Sequence, residues 1–376
     1  MLTRRKLVVG GAAAVLAPAA AGQAAAGGEL HVSDIGHALV AAAIDGEACL
    51  ALLDNGYNPS AIDADFAIAR GLAGRQSVTI NGAAARRTQD LSVRIGPISA
   101  MLSAAMLDMT HVAPVSGERV RLIAGRDLLS QMIVTLDFER RRYLMQRPDE
   151  PFAAQKGAVL LPLGESQDRW QTVRVGVEDR TLQAGVDLGL SAPLLLRESE
   201  QTRGWIDGGR RWSTAATAIP RGGDLVIAAR KVTRAQRMTI GMVRFGEMPV
   251  EIYPADDPVF GGCEAIIGAP LLGRFVTTLD VSGSRLWLKA GAATGVRFHA
   301  PTVGLGTRVE GGVLSVLHVA ANSPAERARI VAGDVVARLN GTKPNRDVLR
   351  LAQPGETVMI ELASGRLVKL VAQEYY

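Results

Sequence analysis

Cysteine is nearly absent from this chain: Cys49 and Cys263 are the only two in 376 residues. A disulfide-dense scaffold is therefore excluded. One bridge between them is permitted, but each sits in an apolar strand-like segment, where a buried free thiol is the simpler reading. Aromatic residues make up only 4%, too few for the stacking platforms that read nucleic acid. The net charge of +5 shrinks further because three positives, Arg4, Arg5 and Lys6, stand together at the start. The single downstream cluster, Arg140-Arg141-Arg142, sits where a turn is expected, so no nucleic-acid partner is expected. The five histidines form no His-Glu-x-x-His and no ligand spacing, no Gly-x-Ser-x-Gly elbow occurs, and the glycine-rich pieces lack a phosphate-loop lysine. No metal, nucleotide or other cofactor is expected.

What is plentiful is glycine (41), proline (17) and small aliphatic residues. That mixture predicts many short strands joined by turns, a mainly β fold. Residues 1–26 read as a leader: Thr3-Arg4-Arg5-Lys6, a weakly apolar stretch, then Ala24-Ala25-Ala26. The paired arginines resemble a twin-arginine signal peptide, which predicts export to the periplasm or beyond. Gly10, Gly11, Pro18, Gly22 and Gln23 make the leader a poor membrane span, and no long apolar run follows it, so no stable span is expected once it is removed.

The body of the chain repeats itself. The stretch from Ile44 to Gly56 ends in Leu52-Leu53-Asp54-Asn55-Gly56, and that from Val177 to Gly189 ends in Gly185-Val186-Asp187-Leu188-Gly189. Further on, Ile123-Ala124-Gly125 matches Ile266-Ile267-Gly268, and in both copies an aspartate, Asp137 or Asp280, follows the glycine at the same distance of 12 residues. A unit longer than a hundred residues occurring twice predicts two duplicated lobes facing each other, over 29–148 and 157–290, with proline-containing and Gly/Ala-rich joins between and after them.

A hydrophobic strand running into Asp-x-Gly, paired with a downstream apolar-apolar-Gly, resembles the retropepsin-like and pepsin-like aspartic proteases. The resemblance runs over roughly residues 37–290, by pattern rather than by long identity. It implies that each lobe offers one catalytic aspartate, Asp54 and Asp187, with Asn55, Gly56, Leu188, Gly189, Gly125 and Gly268 forming the supporting turns. Two carboxylates a few ångströms apart cannot both ionise, so one activates a water while the other protonates the carbonyl, best at mildly acidic pH. Ile80, Asn81 and Gly82 lie in an alternating run with an Asn-Gly turn, a tight hairpin at the position of the family's flap. The segment holding Trp205 and Trp212 fills the comparable interval of the second lobe and reads as a loop packing on its own lobe. Two departures matter. The family has Thr or Ser after each aspartate, whose hydroxyl locks the lobes together; here stand Asn55 and Leu188. It also favours a small residue after each glycine, where this chain has Tyr57 and Leu190.

Residues 296–376 resemble a bacterial PDZ domain, an α+β module, through Gly304-Leu305-Gly306, Asn322-Ser323-Pro324-Ala325, Gly333-Asp334-Val335-Val336 and Asn340-Gly341. The resemblance implies that Gly304, Leu305 and Gly306 present backbone N–H groups to a peptide carboxylate while the peptide joins a sheet edge. Arg329 stands where a glycine often follows the helix. Two functions remain open: an exported endopeptidase acting on polypeptide, or a catalytically degenerate envelope scaffold binding peptide C-termini.

Overall fold

The computed structural model describes residues 25–376 apart from 34, 81–82, 110–119, 167–169, 222–223 and 311. The leader up to residue 24 and the turn residues Asn81 and Gly82 lie outside the described residues. Strands dominate, as the turn-rich composition requires, and they form three kinds of unit.

Each lobe is built on one sheet, and the two sheets have the same strand order. In the first the order is Ala73–Ile80, Ala83–Thr88, Ala105–Leu107, Ala61–Asp63, Val120–Ala124, Glu47–Leu53, Ala38–Ile44, Leu91–Ile95, Ile98–Leu102. In the second it is Ser213–Arg221, Asp224–Ala235, Met248–Tyr253, Leu194–Arg197, Ala265–Gly268, Arg180–Asp187, Gln171–Val177, Met238–Ile240, Val243–Phe245. The parallel pairings coincide too: Glu47–Leu53 runs parallel to Val120–Ala124, and Arg180–Asp187 parallel to Ala265–Gly268. The internal repeat seen in the sequence is thus a repeat of topology, strand for strand.

A six-stranded sheet joins the lobes. Its middle pair, Ile133–Asp137 and Phe275–Asp280, comes from the two copies of the second aspartate motif. Thr135 sits directly opposite Thr278, and their buried hydroxyls hydrogen-bond at 2.8 Å. Outside this pair, Arg142–Gln146 and Arg285–Ala290 flank it, edged by Ala25–Glu29 and Val159–Pro162. Ala25 and Ala26, assigned to the leader from their small size, pair here with Gln146 and Met145. Small residues serve an edge strand as well as a cleavage site, so sequence alone does not separate the two uses. Asp137 and Asp280 cap turns: Asp137 accepts from the Arg140 N–H, and buried Asp280 accepts from the Gly283 N–H and from Arg285.

The C-terminal unit is a five-stranded antiparallel meander of Leu305–Glu310, Val313–Val319, Val335–Leu339, Thr357–Leu362 and Leu367–Val371. It has its own core, including Leu314, Val316, Val336, Ile360 and Leu370. Ser323 caps the short helix Pro324–Arg327 by accepting from the Glu326 N–H, with proline at the first position. Arg329 takes the left-handed conformation (φ 57°) that a glycine would adopt freely. This unit leans on the long second-lobe hairpin of Ser213–Arg221 and Asp224–Ala235. Thr214 Oγ1 is 3.0 Å from His318 Nε2, Asn322 donates to the Trp212 carbonyl, and Tyr375 and Tyr376 pack with Val232 and Ala320.

Trp205 is not in a loop. It lies buried in the helix Glu200–Asp207, which begins with a capping box between Ser199 and Thr202. Both cysteines are free, Cys263 buried and Cys49 partly so; burial pushes the Cys49 thiol up to about 12. No described helix is long and apolar enough to cross a membrane.

Candidate active site

Along Glu47–Leu53 the side chains alternate between two apolar clusters: Ala51 and Leu53 face the main core, Leu50 and Leu52 a second one. Asp54 follows at the strand's end, its N–H held by the Ala124 carbonyl of the parallel neighbour. The chain then turns tightly, with the Gly56 N–H donating to Asp54 Oδ1 at 2.9 Å. The second lobe repeats the turn, the Gly189 N–H donating to Asp187 Oδ1 at 2.8 Å. Beneath each turn passes the downstream glycine. A Cβ on Gly125 would stand 2.8 Å from the Tyr57 carbonyl oxygen, and one on Gly268 would collide with the carbonyls of Ala192 and Leu190. The residues after these glycines complete the clasp: Arg126 N–H donates to the Tyr57 carbonyl and Ala269 N–H to that of Leu190. Only glycine permits so close a crossing.

The two turns meet face to face, and the carboxylates are seated crosswise. A Cβ on Gly56 would stand 2.8 Å from Asp187 Oδ2, and a Cβ on Gly189 would collide with the Asp54 carboxylate. Each glycine of an Asp-x-Gly turn thereby makes room for the aspartate of the opposite lobe. The two carboxyl groups are close enough for each to act on the ionisation of the other. Asp54 is buried and Asp187 half-buried, and desolvation is the largest influence on both, favouring the neutral acid. Asp187 is pushed up to about 6, opposed by the N–H groups of Gly189 and Leu190 and by the charge of Arg126. Asp54 is raised well above the usual carboxylate range, first by burial and then by the neighbouring charge of Asp187. Desolvation of both groups and the charge of Asp187 on Asp54 thus favour a pair that keeps a proton.

Asn55 is fully buried and reaches across the seam. Its Nδ2 donates to the Val186 carbonyl at 2.6 Å, and its Oδ1 accepts from the Leu188 N–H at 2.9 Å. Leu188 contributes its backbone to this clamp, and its side chain is fully buried in the main core. Ser60 and Asp127 brace the first turn, since Asp127 accepts from both the N–H and the hydroxyl of Ser60, which in turn accepts from the Gly125 N–H.

Among the other expected site residues, Ile80 pairs with Ala83 at the end of the hairpin Ala73–Ile80/Ala83–Thr88. Val78 and Ala85 of that hairpin belong to the apolar cluster beside Asp54. Gly304 has a left-handed φ of 86° and packs against the Ser323 side chain, while Leu305 and Gly306 open the edge strand of the C-terminal sheet. A Cβ on Gly306 would point at His318 and at Ala216 of the second lobe. These three residues belong to the C-terminal unit, whose sheet is separate from the two that carry the paired aspartates. One contributor lies outside the residues expected from sequence, and another, Asn55, has a larger role than expected. Arg126 stacks its guanidinium 5.8 Å from the Trp170 ring of the opposite lobe and acts on Asp187. Its position directly after Gly125 was the available signal. Asn55 was read as a lost hydroxyl, although an amide carries both a donor and an acceptor. Among the described residues no three His, Cys, Asp or Glu side chains gather as a metal site.

No protein-family model matches this chain, and no curated protein sequence matches it. Solved structures similar to it include an aspartic proteinase from Irpex lacteus, at 14% identity and a TM-score of 0.45, covering 73% of this chain and 99% of that one.

Proposed function

We propose that this chain is an exported aspartic-type endopeptidase whose Asp54 and Asp187 share one proton and cleave polypeptide in the cleft between the lobes. The observation that carries the reading is the crosswise seating of the two carboxylates, each against the glycine of the other lobe's turn. Such an arrangement costs stability, because two desolvated acids side by side resist ionisation. A fold that needed only turns would have no use for it.

The chemistry follows from the asymmetry between the two acids. Asp187, helped by the field of Arg126, is the ionised member, and Asp54 holds the proton. Asp187 takes a proton from water as its oxygen bonds to the substrate carbonyl carbon, and Asp54 gives its proton to the carbonyl oxygen. In the resulting gem-diol, Asp187 passes its proton to the amide nitrogen, the C–N bond breaks, and a hydroxyl proton returns to Asp54. The hairpin Ala73–Ile80/Ala83–Thr88 serves as the flap. The C-terminal unit, PDZ-like, takes up polypeptide tails at the edge strand that begins at Leu305.

A second reading, a peptide-binding scaffold without catalysis, draws on Leu188, which supplies no side-chain donor to the clamp. One experiment separates the two. Protein lacking residues 1–26 is incubated with an unfolded polypeptide from about pH 4 to about pH 8, alongside Asp54→Asn and Asp187→Asn. Cleavage by the parent that both variants lose is the expected result. An inert parent, or variants as active as the parent, sinks the endopeptidase reading and leaves the scaffold.

A further inference from the structure

We propose that Tyr57 plugs the subsite beside Asp54, so that the polypeptide taken by this cleft carries small side chains next to the bond held at the dyad. The inference rests on the endopeptidase reading and adds a substrate class to it.

Tyr57 follows Gly56 directly, and its backbone is held at both ends. Its N–H donates to the Asp54 carbonyl at 3.2 Å, and its own carbonyl accepts from Arg126 at 2.9 Å. The main chain cannot swing away, so the side chain leaves from a fixed point beside the carboxylates. It packs on the cluster of Leu50, Leu52, Ile123, Ala85 and Val78. This cluster lies on the Asp54 face of the strand, because Leu50, Leu52 and Asp54 alternate with Ala51 and Leu53. It is therefore the apolar wall that leads to the dyad, roofed by the candidate flap. With a small residue at 57, Leu50, Leu52 and Ile123 would floor an open apolar pocket adjoining Asp54. The tyrosine ring fills that pocket and leaves those leucines and the isoleucine no more than 4% exposed.

The phenol adds a second observation. The Tyr57 hydroxyl oxygen is buried and has no hydrogen-bond partner among the described residues. Its proton is held more firmly than usual, by burial and by the nearby charges of Asp54 and Asp187. A tyrosine retained only to fill a core would give its hydroxyl a partner, since a buried unpaired donor costs about 1–3 kcal/mol. Placed within the field of both carboxylates, this donor suits a backbone carbonyl of the bound chain. Leu190 holds the equivalent place in the second lobe, after Gly189, and packs beside Trp170, Leu195 and Ile266. Both turn glycines are therefore followed by a large side chain packed on its own lobe.

The test uses the protein without residues 1–26 and two peptide analogues in which a hydroxyethylene unit replaces the scissile amide. In one analogue Ala flanks the unit on both sides, in the other Phe. Dissociation constants are measured for the parent and for Tyr57→Phe, Tyr57→Val and Tyr57→Ala. The parent should bind the Ala probe at least about tenfold more tightly, the scale on which pocket volume discriminates. Tyr57→Phe should keep that preference and Tyr57→Ala should abolish or invert it. Tyr57→Val should fall between, and it decides the matter if the Ala variant does not fold. A parent without preference, or a preference that survives removal of the ring, overturns this inference and leaves the endopeptidase reading standing. A parent that binds neither probe overturns both.

Discussion

Leu188 donates its backbone N–H to Oδ1 of Asn55 across the seam between the lobes, at 2.9 Å, while Nδ2 of the same amide donates to the carbonyl of Val186 at 2.6 Å. One side chain from the first lobe thus grips the second lobe on both sides of Asp187. In the aspartic proteases that the sequence resembles, a hydroxyl after each aspartate shares this task. Here the amide supplies donor and acceptor from one side only, which frees position 188 to carry an apolar side chain into the core.

The clamp makes Asn55 indispensable to alignment. In Asn55→Ala the Val186 carbonyl and the Leu188 N–H lose this partner, a cost of about 2–6 kcal/mol at about 1–3 for each group. The displacement of Asp187 that follows should lower turnover by about a hundredfold. Asn55→Thr, whose hydroxyl both donates and accepts, should recover part of each loss. Denaturant midpoints and turnover rates of the three proteins check this, and an alanine variant as stable and as active as the parent would show that the lobes need no clamp here.

Activity should rise with pH through about 6, where Asp187 ionises, and persist above it while Asp54 keeps its proton. That places the working range closer to neutrality than the mildly acidic optimum expected from the family resemblance. Arg126 lowers Asp187, so Arg126→Leu should move the rising limb to higher pH. A pH profile of kcat/KM for parent and variant reads both limbs. A rising limb that stays in place without Arg126 would remove it from the site's electrostatics.

Most of the fold was legible because it is written twice. The strands ending at Asp54 and Asp187, the crossing glycines Gly125 and Gly268, and the 12-residue spacing to Asp137 and Asp280 all appear as repeats. The match in strand order was hidden, since Ala105–Leu107 and Met248–Tyr253 share no motif and pair according to the burial of their neighbours. The meeting of the two carboxylates was implied by the resemblance, but their crosswise seating depends on Gly56 and Gly189 as spaces, and spaces leave no chemical signature in a sequence. The short helix holding Trp205 was missed because its glycine-rich end, Gly208-Gly209, dominated the local reading, while the capping pair Ser199 and Thr202 that starts it lies outside that window.

The same burial that raises Asp187 makes the dyad a burden on stability at neutral pH. A group whose folded pKa is raised favours the folded state while protonated, and that benefit is lost as pH climbs from the ordinary 3.8 through about 6. Above pH 6 the difference amounts to about 3 kcal/mol. Asp187→Asn, unable to ionise, should therefore melt several degrees above the parent at neutral pH, and the two melting temperatures should converge as the pH is lowered towards 4. Parallel melting curves at every pH would show that the buried pair carries no such strain.

The C-terminal unit can be tested without reference to catalysis. Leu305–Glu310 is the edge strand of its sheet, and Gly304 before it adopts a left-handed turn against Ser323, the cap of the following helix. Replacing Gly304 would force a side chain onto Ser323, and replacing Gly306 would press on His318 and Ala216, so either change disturbs the seam with the second lobe as well as any peptide groove. The ligand is the better variable. An extended peptide with a free C-terminus and its amidated twin are titrated into the full chain carrying Asp54→Asn and Asp187→Asn, which prevents cleavage. Charge-assisted bonds from backbone N–H groups to a carboxylate are worth about 1.5–3 kcal/mol, so the free acid should bind at least about tenfold more tightly. Strand addition at an edge gives modest affinity, in the micromolar range or weaker. Equal binding of the two peptides would rule out carboxylate capture and leave the edge strand as a general polypeptide contact.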